Sequence, residues 1–90
     1  MAIKMTVERD ARTDEFLSVY FQIREGEVGR TLELDKNCLL DLSDTNQAIG
    51  LEILGPFSLR KAREAASMYF CPELESIFAV FGHEPQLVQA

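Results

Sequence analysis

Tryptophan is absent from this 90-residue chain, histidine occurs once, cysteine twice and proline three times. Each scarcity closes off a class of chemistry. The single histidine, His83, stands in a Gly-His-Glu-Pro stretch. With no patterned partner it reads as a surface-loop residue rather than an acid–base group. Cys38 and Cys71 lie far apart, which makes neither a disulfide framework nor a zinc-binding spacing. No glycine-rich phosphate loop or nucleophile elbow occurs. No apolar run approaches the ~20 residues of a membrane helix, and Met1 to Thr6 lacks the apolar core of a signal peptide. The expectation is a soluble, cytoplasmic protein that does not meet the membrane. Positive charge is also in deficit, with nine Lys and Arg against fifteen Asp and Glu, a net charge of −6. Phosphate neutralisation needs dense basic charge, so nucleic-acid binding is not expected.

What is present is an ordinary globular composition, 47% hydrophobic, in a chain short enough to make one domain. Such a chain buries only roughly 60–65% of its unfolded surface, and dimerisation would cover more. Residues 1–55 alternate apolar and polar side chains, the mark of strands. Ile3, Met5 and Val7 alternate with Lys4, Thr6 and Glu8 in a half-buried strand over Ala2 to Glu8. Asp10 and Asp14 follow as turn carboxylates, with a paired-carboxylate site the lesser alternative. Over Glu15 to Arg24, Leu17, Val19, Phe21 and Ile23 line one face and Phe16, Ser18, Tyr20 and Gln22 the other, which suits a central strand. Glu25-Gly26-Glu27 turns the chain, with Gly26 at positive φ. Val28 to Leu34 and Cys38 to Leu42 return around Asp35-Lys36-Asn37. Ser43 to Gln47 is a further turn before a last strand, Ala48 to Leu54, with Ile49, Leu51 and Ile53 facing inward. Gly50 inside that strand marks a bulge or a close approach by another group.

Gly55-Pro56 ends the sheet. Ser58 is placed to cap a helix over Leu59 to Phe70, carrying Leu59, Ala62, Ala66 and Tyr69 at helical spacing. Pro72 opens a second helix, whose Leu74, Ile77, Phe78 and Phe81 recur at i, i+3, i+4 and i+7. Gly82 and Pro85 stop it, and Gln86 to Ala90 reads as a loose tail. The expected fold is α+β: an antiparallel meander of about five strands followed by two C-terminal helices packed on one face. The whole of 1–90 forms one domain, a sheet over 1–55 and a helical extension over 56–90.

Three stretches of the sheet portion resemble the YuzE-like family of small bacterial domains of unknown function. Asp10 and Asp14 before Phe16-Leu17 are similar to its Asp-x-x-x-Asp opening. Glu25-Gly26-Glu27-Val28 through Thr31-Leu32-Glu33-Leu34 is similar to its second hairpin. In Asp41 to Leu54 an Asp lies nine residues before a Gly that leads into Leu51-Glu52-Ile53-Leu54, the most specific part of the likeness. Asn46 stands where the family usually has a turn glycine, and Arg9 replaces its usual tyrosine before the opening Asp. Residues beyond Pro56 match no pattern of the family, and the resemblance implies no catalytic residues.

Three groups of side chains are candidates for a site. Arg60, Lys61 and Arg63 place positive charge at the positive end of a helix. An anion or an acidic partner would relieve this, as would the acidic sheet of the same chain. Ile77, Phe78 and Phe81 sit in an aromatic-rich last third whose surplus would favour a protein partner. Asp41, Asp44 and Glu52 could start a divalent-ion site, but six or so ligands are needed. Turn formation by Asp44, with Asp41 or Glu52 bonded to an arginine such as Arg30, is the simpler account. No catalytic set, metal site or cofactor is expected. The leading expectation is a non-catalytic protein-interaction or regulatory module, homodimeric through the uncovered sheet face, an open edge strand or the second helix, with a possible protein partner. A small-ligand or anion-binding domain is the alternative, and a metal-dependent enzyme the second alternative.

Overall fold

Alternating side chains become strands wherever one face finds a core, and the computed structural model shows where that happens. It describes residues 3–69, 71–81 and 88–89. The strands are β1 (Lys4–Arg9), β2 (Phe16–Gln22), β3 (Arg30–Asp35), β4 (Cys38–Leu42) and β5 (Ala48–Ile53). After them come β6 (Phe57–Ser58), α1 (Leu59–Ala66), α2 (Pro72–Phe81) and β7 (Val88–Gln89). The fold is α+β, a five-stranded antiparallel sheet followed by two helices.

The strand order is β1-β2-β5-β4-β3. Strands β3, β4 and β5 form a meander, as expected of consecutive hairpins. The connection from β2 to β3 departs from that pattern: it passes the end of the β4–β5 hairpin, so β2 pairs with β5 rather than with β3. Backbone bonds mark the route, from the Ile23 and Arg24 N–H groups to the Ile49 carbonyl at 2.8 and 3.2 Å, and from the Gly29 N–H to the Leu42 carbonyl at 2.8 Å. Gly26, at φ +148°, allows the bend. This order puts β5 at the centre. Leu51 and Ile53 of β5 and Cys38, Leu40 and Leu42 of β4 are all fully buried, each large one contributing about 1.5–3 kcal/mol.

Val19, Phe21, Leu51, Ile53, Cys38, Leu40 and Leu42 supply the inner face, against which α1 sets Ala62 and Ala66, and α2 sets Leu74, Ile77 and Phe78. Phe57 and Phe78 meet with ring centroids 6.5 Å apart, tilted at 45°. Register shifts change the expected facing at two places. Leu42 pairs with Ala48 and Asp41 with Gly50, which leaves Ile49 as an extra residue in a bulge. Ala48 therefore takes the inward position, while Ile49 is buried but outside the main cluster. Glu8 pairs with Ser18 and Arg9 with Phe16, so Leu17 is bulged and 48% exposed rather than part of the inner face.

Helix α1 begins where expected, with the Ser58 hydroxyl accepting from the Lys61 N–H at 3.3 Å. It ends sooner than its apolar spacing suggests. The Ser67 hydroxyl donates to the Glu64 carbonyl at 2.6 Å, and the Tyr69 N–H donates to Ala66 at 2.8 Å, closing the last turn. Helix α2 opens on Pro72 with Glu73 and Glu75 in its first turn, favourable at the positive helix end. Gly82, His83 and Pro85 lie outside the described residues. The expected loose tail is corrected at Val88–Gln89, which pairs in parallel with Phe57–Ser58; Gln86, Leu87 and Ala90 lie outside the described residues. A two-residue ladder carries no amphipathic signal, so it was not visible in the sequence pattern.

Candidate functional site

The outer sheet face, opposite the helices, carries a polar network that reaches from β2 to β3. Asp41 lies opposite Gly50 on one side and Thr31 on the other. With no side chain at Gly50, the Tyr20 ring crosses over β5, and a β-carbon there would strike its phenolic end. The Tyr20 hydroxyl donates to Asp41 Oδ2 at 3.0 Å, and the Thr31 hydroxyl donates to Asp41 Oδ1 at 2.7 Å. Partial burial, reinforced by the Asp41 hydrogen bond and the charges of Asp41 and Glu52, pushes the Tyr20 phenol up to about 12. A phenol so held is a poor proton donor near neutrality. Its geometry joins strands.

The candidate carboxylate cluster is not brought together. Glu52 pairs with Leu39 and Tyr20, two residues along from the Asp41–Gly50 pair, so Asp41 and Glu52 are not opposite each other. Asp44 lies in the β4–β5 turn. Among the described residues no group of three His, Cys, Asp or Glu side chains is placed to hold a metal ion. Asp41 bonds Tyr20 and Thr31 instead of an arginine, and Arg30 goes elsewhere. Asp10 builds its turn as expected: its carboxylate accepts from the Arg12 and Thr13 N–H groups at 2.8 and 3.0 Å, and these bonds lower its pKa.

A second region lies where the α1–α2 corner meets the β4–β5 turn. Asn46 holds φ 64° in that turn, and its side-chain oxygen accepts from Arg30 Nη2 at 2.7 Å. The same nitrogen donates to the Tyr69 hydroxyl at 3.2 Å. Arg24 donates from Nε to the Ala48 carbonyl at 2.7 Å and lies 3.7 Å from Glu73. A cleft of about 170 Å³ is lined by Arg24, Asn46, Gln47, Ala48, Tyr69 and Cys71. Beyond Tyr69 and Cys71 a wider one of about 410 Å³ reaches Arg63 and Glu75. The Cys71 thiol donates to Glu73 Oε2 at 3.1 Å. Burial and that bond raise the thiol's pKa, so Cys71 is not an activated nucleophile. Cys38 is fully buried, which with the nearby Asp35 charge pushes its thiol up to about 12.

The basic triplet behaves as separate residues. Arg60 pairs with Glu64 at 3.2 Å and Arg63 with Glu75 at 3.6 Å. Helix carboxylates, rather than the acidic sheet, neutralise these two. Lys61 is exposed, and its backbone N–H donates to the Ser58 hydroxyl. Ile77 and Phe78 are 4% and 0% exposed: both pack into the core against the sheet. The Phe81 side chain lies outside the described residues.

The surface that does remain apolar is elsewhere, and strand alternation alone did not reveal it. Met5 pairs with Phe21 and Val7 with Val19, so both belong to the inner face. The helix layer stops short of β1. Met5 stays 58% exposed, Val7 41% and Val80 of α2 68%. Between Met5 and Val80 runs an apolar groove of about 290 Å³ lined by Ile3, Met5, Phe21, Ser76, Ile77 and Val80. Comparison with family models, curated proteins and solved structures finds no significant match to this chain.

Proposed function

We propose that this chain is a small non-catalytic protein-interaction module that binds through the flank of its sheet. One observation supports the reading above others: an inward-facing strand, β1, whose Met5 and Val7 have no helix over them and whose neighbour α2 turns Val80 outward. Apolar side chains gathered along an open sheet edge are what strand addition or helix docking uses. The test is affinity purification from the cells the protein comes from, with wild type beside Met5→Asp and Val80→Asp. A stoichiometric protein recovered by wild type and lost with both variants is the expected result. Repeated recovery of nothing while the chain itself stays monomeric, or of a protein indifferent to both substitutions, sinks the reading. A homodimer in the cytoplasm of a bacterial cell is part of the same proposal, as is a YuzE-like framework over residues 1–55, which rests on its motif residues alone.

A second reading is a small-anion site at the helix corner. It is favoured by Arg30, which donates to the neutral acceptors Asn46 and Tyr69, and by Arg24 on the wall of the adjoining cleft. Glu73 stands beside Arg24 and weakens it. A thermal-shift titration with inorganic phosphate decides: no shift, or a shift that survives Arg24→Ala and Arg30→Ala, removes the site.

A further inference from the structure

The flank of the sheet is self-complementary, and we infer that its occupant is a second copy of this chain, joined edge to edge through β1 in one register. The inference rests on the interaction-module reading and names the partner. Strand β1 forms one edge of the sheet. Its six residues, Lys-Met-Thr-Val-Glu-Arg, are all exposed. An antiparallel pair of identical strands about a two-fold axis normal to the sheet must place residues of the same face opposite each other. Only a few registers meet that condition. With the axis at Thr6, Lys4 lies opposite Glu8 of the second copy, and Met5 lies opposite its Val7. Every position from Lys4 to Glu8 then finds a suitable partner. Two Lys–Glu pairs lie on the outer face and two Met–Val pairs on the inner face, with Thr6 facing Thr6 at the axis. Shifting the axis to Val7 would put Met5 opposite Arg9, and shifting it to Met5 would put Lys4 opposite Thr6. Both lose the charge match.

Two features of the structure fit this register. The irregularity between Glu8 and Arg9 falls just past the paired stretch, which leaves Lys4 to Glu8 in regular pairing with β2. The symmetry also sets both helix layers on the same side of a ten-stranded sheet. The grooves of the two copies, each walled by Ile3, Met5 and Val80, then lie side by side across the axis and close on each other's apolar walls. Edge strands left open invite uncontrolled pairing. A register selected by charge gives a closed dimer in its place.

Charge reversal tests the register on the full chain. Within the molecule Lys4 and Glu8 pair with the neutral Gln22 and Ser18, so their exchange leaves the fold intact, as circular dichroism would verify. Sedimentation equilibrium of wild type over a concentration series should give twice the 10.2 kDa chain mass. Lys4→Glu and Glu8→Lys should each weaken the dimer by on the order of tenfold, since two pairs turn repulsive. The double variant should return to wild-type affinity, and an equimolar mixture of the two single variants should form mixed dimers. A wild type monomeric throughout, or a dimer indifferent to the reversals, overturns the inference. The two failures are separable. If a different protein is recovered from cells and lost with Met5→Asp, the second copy falls and the interaction module stands; if neither dimer nor partner is found, both fall.

Discussion

Alanine at position 50 would place a methyl group inside the space held by Tyr20. Gly50→Ala should therefore make the Tyr20 ring swing aside and give up its bond to Asp41, lowering stability by about 0.5–1.5 kcal/mol. The effect belongs to the pair: in a Tyr20→Ser background the same change should cost much less, and a double-mutant cycle by urea denaturation measures the difference. Tyr20 and Cys38 also predict an alkaline limit. Both are raised in the folded chain, to about 12 each from 10.0 and 9.0. Each group holds its proton more tightly folded than unfolded, so its contribution is fully present below its unfolded value and is lost as pH rises toward 12. Chemical denaturation at successive pH values should show stability falling from about pH 9 upward, in line with those unfolded reference values. Tyr20→Phe should flatten the upper part of the decline. The glycine inside an apolar run already signals a close approach, and Asn46 signals a left-handed turn. Neither residue says which ring crosses the glycine. Tyr20 lies thirty positions away and meets it only through the β2–β5 pairing.

At the scale of an element, α1 carries a correctable fault. Ser58 caps it, yet its first turn holds no acidic residue, and Lys61 stands at the third helical position. A glutamate there would suit the positive helix end, while the Ser58 N–H that a capping box would use already donates to Asp35 Oδ2 at 2.7 Å. Lys61→Glu should stabilise the protein by about 0.3 kcal/mol, the helix-end gain less some repulsion from Glu64 and Asp35, read as a raised denaturation midpoint at unchanged slope. Ser58→Ala should act in the opposite sense, costing about 1 kcal/mol. The helices were readable from spacing, capping and Pro72, because those signals are local. Their reach was not. The same apolar spacing in α2 that marks Ile77 and Phe78 as one face leaves open whether that face meets the sheet or a partner. The sheet takes it, and the surface left uncovered is instead the flank of β1, beyond the span of two short helices.

For the whole molecule, strand order governs how stability is distributed. β5 is hydrogen-bonded on both sides by β2 and β4, while β1 and β3 are edges. Amide hydrogen exchange should be slowest at Leu51 and Ile53, close to the global unfolding limit, and much faster in Lys4–Arg9. In a stable dimer the outward amides of β1 would join the protected set, so exchange at dilute and concentrated protein also reports on the edge pairing. Leu51→Ala, at the fully buried centre, should cost about 2–5 kcal/mol.

By itself the sequence determined the elements: alternation set the five strands of the sheet, glycine, asparagine and aspartate set their turns, and serine and proline opened the helices. These are consequences of neighbouring residues acting on one another, and the stretch from Asp41 to Leu54 shows them most fully. Tertiary structure alone decided that β2 crosses to β5, that Tyr20 fills the place of a missing side chain, and that Arg60 and Arg63 answer to helix carboxylates. It also decided that the exposed apolar strip runs along β1 and takes in Val80 of α2 rather than Ile77 and Phe78. Those outcomes depend on which surfaces are long enough to cover which others. Packing settles that only when all the elements are together.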